Sequence, residues 1–442
     1  MAEDPGKPSR VQDQVYRNSF FLMASTAITA GLGFVFWVLV AHFYSPEQVG
    51  LATSLISATS LISYLSLFGL NSTLIRFPAP AASRNGQLTQ SIVLVSLVSF
   101  AVAAVYLLGL PLYAEKLVFI RDHATAAAAF VVFCICATVS QLTFSVFVSA
   151  RMAHQNALVY GLLQGLVKLA LPVALVGYGS VGILGANGGG YVVTALVSLL
   201  LMHRRLGFRF HLRARGTRMR EQFRFSLASY VSSLLNLAPL LVLPMIVLQQ
   251  LGAAAAGYYF IAFQIANLLN SVSFSVGEAV FAEVSYDPSR FSVLLRRAAG
   301  IIAAVQVPSV VVVALGSGLL LRMFGGPYAT RAQPLLAVLA CGALAVALNT
   351  WASFALKLAQ KMTPLVLSNV VYAVVTIGLA ALWAPRGLVW LGWAWGLGNL
   401  ASGIYAAVAL LGMRTALPQP PGPPPGNVPN ERETSPVEGY HR

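Results

Sequence analysis

The chain has 442 residues, of which 57% are hydrophobic and only 9% are charged. A soluble globular domain carries about 25% charged residues, so these few charges could not cover the surface of a soluble protein of this length. The formal net charge is +15. The positions of the basic residues along the chain decide whether this charge indicates a nucleic-acid partner or the orientation of a membrane protein.

Apolar runs long enough to span a bilayer follow one another along most of the sequence. They predict an all-α integral membrane protein with twelve transmembrane helices. The apolar run after the polar segment 1–18 is too long for a signal-peptide core, so we interpret it as an uncleaved first span. The predicted spans are 19–43, 49–70, 89–113, 124–149, 156–177, 181–203, 225–249, 254–282, 298–321, 333–356, 363–384 and 388–412.

Lysine and arginine are distributed unevenly between alternate loops. With both termini inside, 22 of the 28 Lys and Arg residues fall in inner segments and five in outer segments, while Lys168 lies within a span. This asymmetry follows the positive-inside rule. We therefore expect both termini to be cytoplasmic, and the net charge indicates no nucleic-acid partner.

An internal repeat divides the membrane region into two parts, 19–206 and 225–412, joined by the basic cytoplasmic linker 207–224. A shift of 207 residues superposes the two parts and places Gly50 on Gly257. Each glycine follows a very short turn near the start of the second helix of its half. Parallel repeats are typical of transporters, so we predict two pseudo-symmetric six-helix lobes.

The two ends of the chain lie outside this repeat. Residues 1–18 form a polar cytoplasmic segment, and the proline-rich stretch 413–442 has little to bury. We predict that this stretch is a disordered cytoplasmic tail.

Lys168 is a cation near the middle of the fifth predicted span. Tyr160, Gln164, Lys168 and Pro172 recur every four residues and so share one helix face. Ionisable residues at membrane depth are costly and usually functional. This pattern predicts that Lys168, Gln164 and Tyr160 bind an anionic substrate. The alternative is a lysine packed against backbone carbonyls or extended toward the membrane surface.

The eighth predicted span carries a second polar stripe. The stripe predicts a hydrated cleft between the lobes, whereas hydrogen bonding between neighbouring helices is the alternative. The shift of 207 residues carries part of it to the second span, as Ser57, Ser60, Tyr64 and Asn71. Its members on the eighth span are Gln264, Asn267, Ser271, Ser275 and Glu278.

Arg17 and Arg224 correspond under the same shift and lie at the cytoplasmic mouths of spans one and seven. Arginine binds phosphate groups through two parallel hydrogen bonds. Both are therefore predicted to bind a diphosphate, with Arg76 as a further candidate. The alternative is that these charges only set the topology.

No catalytic residue, cofactor site or metal site is predicted. Cys134, Cys136 and Cys341 all lie in spans and indicate no disulfide framework. The run GANGGG at 185–190 lacks the Gly-Lys-Ser/Thr ending of a phosphate loop, so close helix packing explains it better.

Two stretches resemble known proteins. YSPEQVGLATSLISATSLISYLSLFGLNSTLIRF, at 44–77, resembles the first helical hairpin of bacterial polysaccharide-unit flippases. LQQLGAAAAGYYFIAFQIANLLNSVSFSVGEAVFAEVS, at 248–285, is similar to their seventh and eighth helices. These flippases belong to the multidrug/oligosaccharidyl-lipid/polysaccharide exporter superfamily, and the resemblance covers about 17–412.

The resemblance implies two six-helix lobes forming a V around a central cavity lined by basic residues. It implies a cargo, an undecaprenyl-diphosphate-linked oligosaccharide, which moves from the inner to the outer leaflet of the bacterial inner membrane for surface polysaccharide synthesis. It implies no cofactor and no enzymatic step. A polysaccharide polymerase and glycosyltransferases are candidate partners, and we expect a monomer because the cavity lies within one chain.

Three alternatives remain at this point. A cation-coupled multidrug exporter of the same superfamily relies on carboxylates within its lobes, and here Glu278 and Glu283 are the only acids in the second lobe's spans. A peptidoglycan-precursor flippase usually has helices beyond twelve. A membrane enzyme of glycan assembly would need a polar outer face, for which the outer loops offer Glu47, Glu115, Asp122 and His123.

Overall fold

The computed structural model describes residues 28–76, 81–150, 152–210, 219–286 and 291–412. No strand occurs among these residues, and nearly all of them are helical. Eleven of their helices are long and apolar enough to cross a membrane, and Ile28–Phe43 is a shorter apolar helix. The predicted all-α membrane fold is confirmed. The number of twelve spans stays a prediction, because the predicted span 19–43 extends outside the described residues.

The long helices follow the order of the predicted spans. α7 begins inside the segment 207–224 that the sequence assigned to a linker. In chain order the helices are α1 Ile28–Phe43, α2 Pro46–Leu67, α3 Ala81–Tyr113, α4 Ala124–Ser149, α5 His154–Ala174, α6 Gly179–Leu206, α7 Met219–Leu251, α8 Ala253–Tyr286, α9 Phe291–Leu315, α10 Gln333–Leu358, α11 Met362–Trp383 and α12 Leu388–Leu411.

Local sequence explains where α2 begins and ends. The Ser45 side chain accepts a hydrogen bond from the Gln48 backbone, and the Gln48 side chain accepts one from Ser45, which forms a capping box. Pro46 occupies the first helical turn, where its missing N–H is not needed. The helix ends at Phe68 and Gly69, whose φ values are 45° and 76°. The segment SPEQ therefore fixes the start of this helix after a very short turn.

The boundary between α5 and α6 is equally short. α5 is π-helical over Ala157–Leu163, and the short helix Val176–Tyr178 separates it from α6. Gly179 has a φ of 55°, a conformation that glycine adopts readily, so the chain reverses there. The long apolar stretch 156–203 thus consists of two helices, as predicted.

The helices form two lobes, α1–α6 and α7–α12. In the first lobe α6 contacts α2, α4 and α5, and in the second α10 contacts α8, α9 and α12. The lobes meet where α2 contacts α7 and α8. We name the end with the α1–α2 and α7–α8 turns the hairpin end. The opposite end, which carries Arg204, Arg205 and Arg297, is the basic end.

The hydrophobic cores differ between the two ends. At the hairpin end one core cluster continues through both lobes and includes Trp37 and Val49 from the first and Val247 and Tyr259 from the second. Toward the basic end each lobe has a cluster of its own, one with Phe147 and the other among α10, α11 and α12. The core is therefore continuous between the lobes at the hairpin end. Toward the basic end each lobe has its own core, and the lobes stay in contact there through α2 and α7.

Buried polar side chains bind neighbouring helices within each lobe. In the first lobe Gln141 of α4 donates to Ser63 of α2 at 2.9 Å. In the second lobe Asn349 of α10 donates to Asn399 of α12 at 3.1 Å and accepts from Ser402 at 3.0 Å. Polar side chains paired in this way stabilise contacts between membrane helices.

Candidate functional site

Two repeat-related glycines make the contact between the lobes at the hairpin end. A Cβ atom on Gly50 would lie 1.7 Å from the Ala253 carbonyl oxygen, and one on Gly257 would lie 2.2 Å from that of Pro46. Pro46 and Ala253 are themselves 207 residues apart. The α2 and α8 backbones thus touch in a reciprocal, pseudo-symmetric crossing that only glycine permits. This contact explains why the same turn occurs twice.

Aromatic and polar contacts surround the crossing. Across the two lobes the ring centroids of Trp37 and Phe260 are 4.5 Å apart, and those of Phe34 and Phe324 are 5.4 Å apart. The Lys116 ammonium donates to the Leu248 carbonyl at 2.9 Å, in the last turn of α7. These contacts and the glycine crossing close the hairpin end, and we refer to them together as the seal.

The connection between α1 and α2 is also fixed. The Tyr44 hydroxyl donates to the Pro172 carbonyl of α5 at 2.6 Å. This hydrogen bond holds the α1–α2 turn against α5.

Methionine at Lys116 should loosen the seal. A cation at a helix C-terminus contributes about 0.3–1 kcal/mol, so we expect the population with an open hairpin end to rise roughly two- to fivefold. The measurement is the distance distribution between spin labels at Asp122→Cys and Arg331→Cys, which are exposed positions on opposite lobes. Arg322→Met, at an exposed cation of the same end, is the control. An identical distribution for Lys116→Met would contradict the assigned role.

Beyond the crossing, the face of α8 that meets α2 is uncovered. At about 100° per residue, Gln264, Ser271 and Ser275 lie within about 40° of Gly257 around the helix axis. Gln264 is half-buried, and Ser271 and Ser275 are exposed. The lobes therefore leave this face of α8 open beyond the seal, while α2 and α7 still touch near the basic end. The space between the lobes along this face of α8 is the cleft.

Asn267 also borders the cleft. Its side chain is exposed, and its carbonyl oxygen accepts a hydrogen bond from Asn270 at 3.1 Å. Asn267 is thereby held in one orientation with its amide group available. Three predicted stripe residues, Gln264, Asn267 and Ser271, thus lie near one another on one exposed side of α8.

The corresponding stripe on α2 differs from the sequence prediction. Ser57 is buried, and Ser60 and Tyr64 are half-buried, as is Asn71 in the short helix Leu70–Arg76 that follows α2. The reason is that α7 packs over the end of α2, where the Tyr230 hydroxyl donates to the Leu65 carbonyl at 2.9 Å. The cleft is therefore lined unequally by the two repeats.

Lys168 lies between α5 and α6. Its side chain is half-buried, and Nζ lies 4.5 Å from the ring centroid of Tyr191. Tyr191 is 12 residues from the start of α6, which places it about 18 Å along the helix and near the middle of a hydrocarbon core about 30 Å thick. The only acidic residue in α1–α6 is Glu47, in the first turn of α2 at the hairpin end. The ammonium thus lies at membrane depth without an acid in its lobe nearby.

The other residues of the α5 stripe have different surroundings. Tyr160 is buried, and its hydroxyl bonds to Thr143 at 2.6 Å and to Ser198 at 3.0 Å. These bonds join α4, α5 and α6, so Tyr160 helps to hold these three helices together. Gln164 is half-buried. Substrate binding by Tyr160 and Gln164 stays a prediction.

The side chains of four predicted residues lie outside the described part of the structure. Arg17 is outside the described residues altogether. Arg76 belongs to the short helix Leu70–Arg76, Arg224 to α7 and Glu278 to α8, but only their backbone is described. Their roles also stay predictions.

Roles for Tyr191, Lys116 and the seal were not predicted from the sequence. The glycines at 188–190 indicated close packing, and the aromatic residue directly after them, Tyr191, is the signal in the sequence for a partner of Lys168. Among the described residues no group of three or more His, Cys, Asp or Glu could hold a metal ion. Cys134, Cys136 and Cys341 are free thiols.

Comparison with known proteins adds a family and a fold. Residues 15–281 match the model of a family described as polysaccharide biosynthesis protein. No curated protein sequence matches the chain.

Three solved structures share the fold at low sequence identity. The lipid II flippase MurJ in an inward closed conformation has a TM-score of 0.72 and 12% identity, with 89% of this chain and 87% of that chain covered. An inward-facing multidrug resistance MATE transporter has a TM-score of 0.67 and 14% identity, covering 89% and 100%. A MOP superfamily transporter from Pyrococcus furiosus has a TM-score of 0.55 and 13% identity, covering 91% and 96%. At these identities the likeness shows a shared fold.

Proposed function

Since the chain belongs to the polysaccharide biosynthesis protein family of the multidrug/oligosaccharidyl-lipid/polysaccharide exporter superfamily, we propose that it is a flippase for a lipid-linked oligosaccharide. The observation that carries the proposal is the cleft between two lobes that are sealed at one end. A cleft bordered by polar groups at membrane depth provides a path for a hydrophilic head group, while its lipid tail stays in the bilayer.

The cargo we propose is an oligosaccharide repeat unit on undecaprenyl diphosphate. The exposed polar side of α8, with Gln264 and Asn267, would meet the sugars through hydrogen bonds. Lys168 would meet the diphosphate, because α1–α6 carry a cation at membrane depth and no acid there. Arg17, Arg76 and Arg224 are proposed to attract the same group where the cargo enters. A cationic drug would be repelled by this arrangement, so the charge favours an anionic cargo.

Transport would proceed by alternating access. In the described state the seal closes the hairpin end. We propose that the basic end faces the cytoplasm, in agreement with the positive-inside rule, and that the cargo enters between the lobes from that side. Opening of the seal would then release the cargo into the outer leaflet. The proposal involves no covalent step, and the family members and fold neighbours described above are likewise transporters.

The proposed function also suggests the location, oligomeric state and partners of the protein. We propose that the protein lies in the bacterial inner membrane with both termini in the cytoplasm. A monomer is sufficient, because both walls of the cleft come from one chain. Glycosyltransferases that build the cargo on the cytoplasmic side and a polymerase that uses it on the outer side are the proposed partners.

A deletion strain tests the proposal. We expect loss of surface glycan and accumulation of a polyprenyl diphosphate carrying a complete sugar repeat, because the cargo is built but cannot cross the bilayer. Mass spectrometry of extracted lipids measures the accumulation, and re-expression of the wild-type chain is the control. An unchanged lipid pool with intact surface glycan would contradict the proposal and favour the drug exporter. Accumulation of a peptidoglycan precursor instead would favour that flippase.

A further inference from the structure

The glycine run of α6 receives side chains from two neighbouring helices. A Cβ on Gly188 would meet the Phe133 ring of α4 at 2.2 Å, and one on Gly189 would meet Leu171 of α5 at 2.6 Å. A Cβ on Gly190 would lie 2.8 Å from Cγ and 3.0 Å from Cε of Lys168. The first two positions serve packing between apolar groups. Gly190 instead makes room for the stem of the membrane-buried lysine.

The next residue receives the charged end of the same lysine. Lys168 Nζ lies 4.5 Å from the ring centroid of Tyr191, well within the range of a cation–π contact. Ser140 of α4 donates to the Tyr191 carbonyl at 3.2 Å, which fixes the backbone that carries the ring. Gly190 and Tyr191 therefore hold both ends of one side chain, and a third helix supports them.

A ring face differs from a carboxylate as a partner for an ammonium. A carboxylate would accept its N–H groups and cancel its charge, whereas a ring face attracts the cation through its quadrupole and leaves N–H donors for another acceptor. An ammonium held in this way at membrane depth is placed for an anion that arrives later. Packing against backbone carbonyls, the alternative from the sequence, would have used those donors.

We infer that Gly190 and Tyr191 form a seat that positions Lys168 to bind the diphosphate of the cargo, and that Tyr191 thereby acts as a positioning residue for selection of an anionic head group. This inference rests on the proposed function and adds to it the residues that make the lysine available.

Binding of undecaprenyl diphosphate to the full-length protein in nanodiscs tests the seat, with the neutral alcohol undecaprenol as the matched probe. Tyr191→Leu removes the ring face, and we expect affinity for the diphosphate to fall about fivefold while affinity for the alcohol is unchanged. Tyr191→Phe keeps the ring face and should restore most of the affinity. Phenylalanine with one, two and three ring fluorines at position 191 should weaken binding stepwise, because fluorine withdraws electron density from the ring face.

A double-mutant cycle separates positioning from packing. In a Lys168→Met background, Tyr191→Leu should have no further effect on diphosphate affinity, since the charge that the ring positions is gone. If Tyr191→Leu lowers diphosphate affinity equally with and without Lys168, or if affinity does not change with ring fluorination, the seat is overturned. The proposed function would still stand after either result. A wild-type protein that binds diphosphate and alcohol equally well would overturn both.

Discussion

Alanine at Gly50 or at Gly257 is expected to hold the hairpin end open and to lower transport at least tenfold. The added methyl group would lie 1.7 Å from the Ala253 carbonyl oxygen in one case and 2.2 Å from the Pro46 carbonyl oxygen in the other. A carbon–oxygen contact needs about 3.3 Å, and a backbone carbonyl cannot turn aside as a flexible side chain can. The α2 and α8 helices must therefore separate, and the seal around them separates with them.

Because the contact is reciprocal, both substitutions should give the same phenotype. The double variant should be little worse than either single one, since the first methyl group already opens the crossing. Spin-label distances between Asp122→Cys and Arg331→Cys should lengthen, and transport in proteoliposomes should fall. The melting temperature of each lobe should change little, because the crossing lies between the lobes.

The matched control is Gly378→Ala in α11, where a Cβ would meet nothing within 4 Å. It makes the same chemical change in an exposed part of a membrane helix. Wild-type distances and transport in Gly50→Ala would show that α2 and α8 do not touch as described. Equal losses in Gly378→Ala would show that loss of a helix glycine, and not the crossing, causes the effect.

Much of the fold follows from local properties of the sequence. Each long apolar run forms a helix, because the bilayer core offers no hydrogen-bond partner to backbone N–H and C=O groups and a helix pairs them with each other. The length of an apolar run therefore predicts a span. The 207-residue repeat predicted two lobes, and the two-lobe fold shared with the solved structures confirms this architecture, although one core cluster at the hairpin end runs through both lobes. The repeat placed Gly50 and Gly257 in register, but it did not indicate that each contacts a helix of the other lobe. A glycine near a short turn serves equally well as a close contact within its own hairpin, as a contact with another lobe or as a flexible joint, so only the three-dimensional structure identifies the crossing.

The candidate site was less accessible to sequence reasoning. Spacing placed Gln264 and Ser271 on one side of α8, because helical period depends only on residue number. The same argument predicted that Ser57 and Tyr64 of α2 line the cleft as the α8 residues do. This prediction was wrong in part, because α7 packs over the end of α2 and Ser57 is buried. Which face a neighbour covers is a tertiary property. The Tyr191 ring was missed for the same reason, since its contact with Lys168 joins two helices.

Methionine at Lys168 is expected to lower transport of the lipid-linked cargo by tenfold to a hundredfold without reducing the stability of the protein. The two side chains have similar length, so the change removes the charge and little volume. A hydrogen bond to a charged group in a partly dehydrated site contributes about 1.5–3 kcal/mol, which corresponds to that range of affinity. Arginine at the same position should retain part of the activity, because it keeps the charge but has a planar head that fits the seat less well.

Stability distinguishes this role from a structural one. An ammonium at membrane depth, with no acid nearby in its lobe, costs free energy in the resting protein, so Lys168→Met should melt at the same temperature or higher. Transport and thermal melting should be measured on the same preparations, with Lys361→Met, at the N-cap of α11 on the basic end, as the control. Unchanged transport in Lys168→Met would remove the lysine from the mechanism. A fall in melting temperature with a proportionate loss of transport would show that Lys168 has a packing role, which is the alternative that the sequence left open.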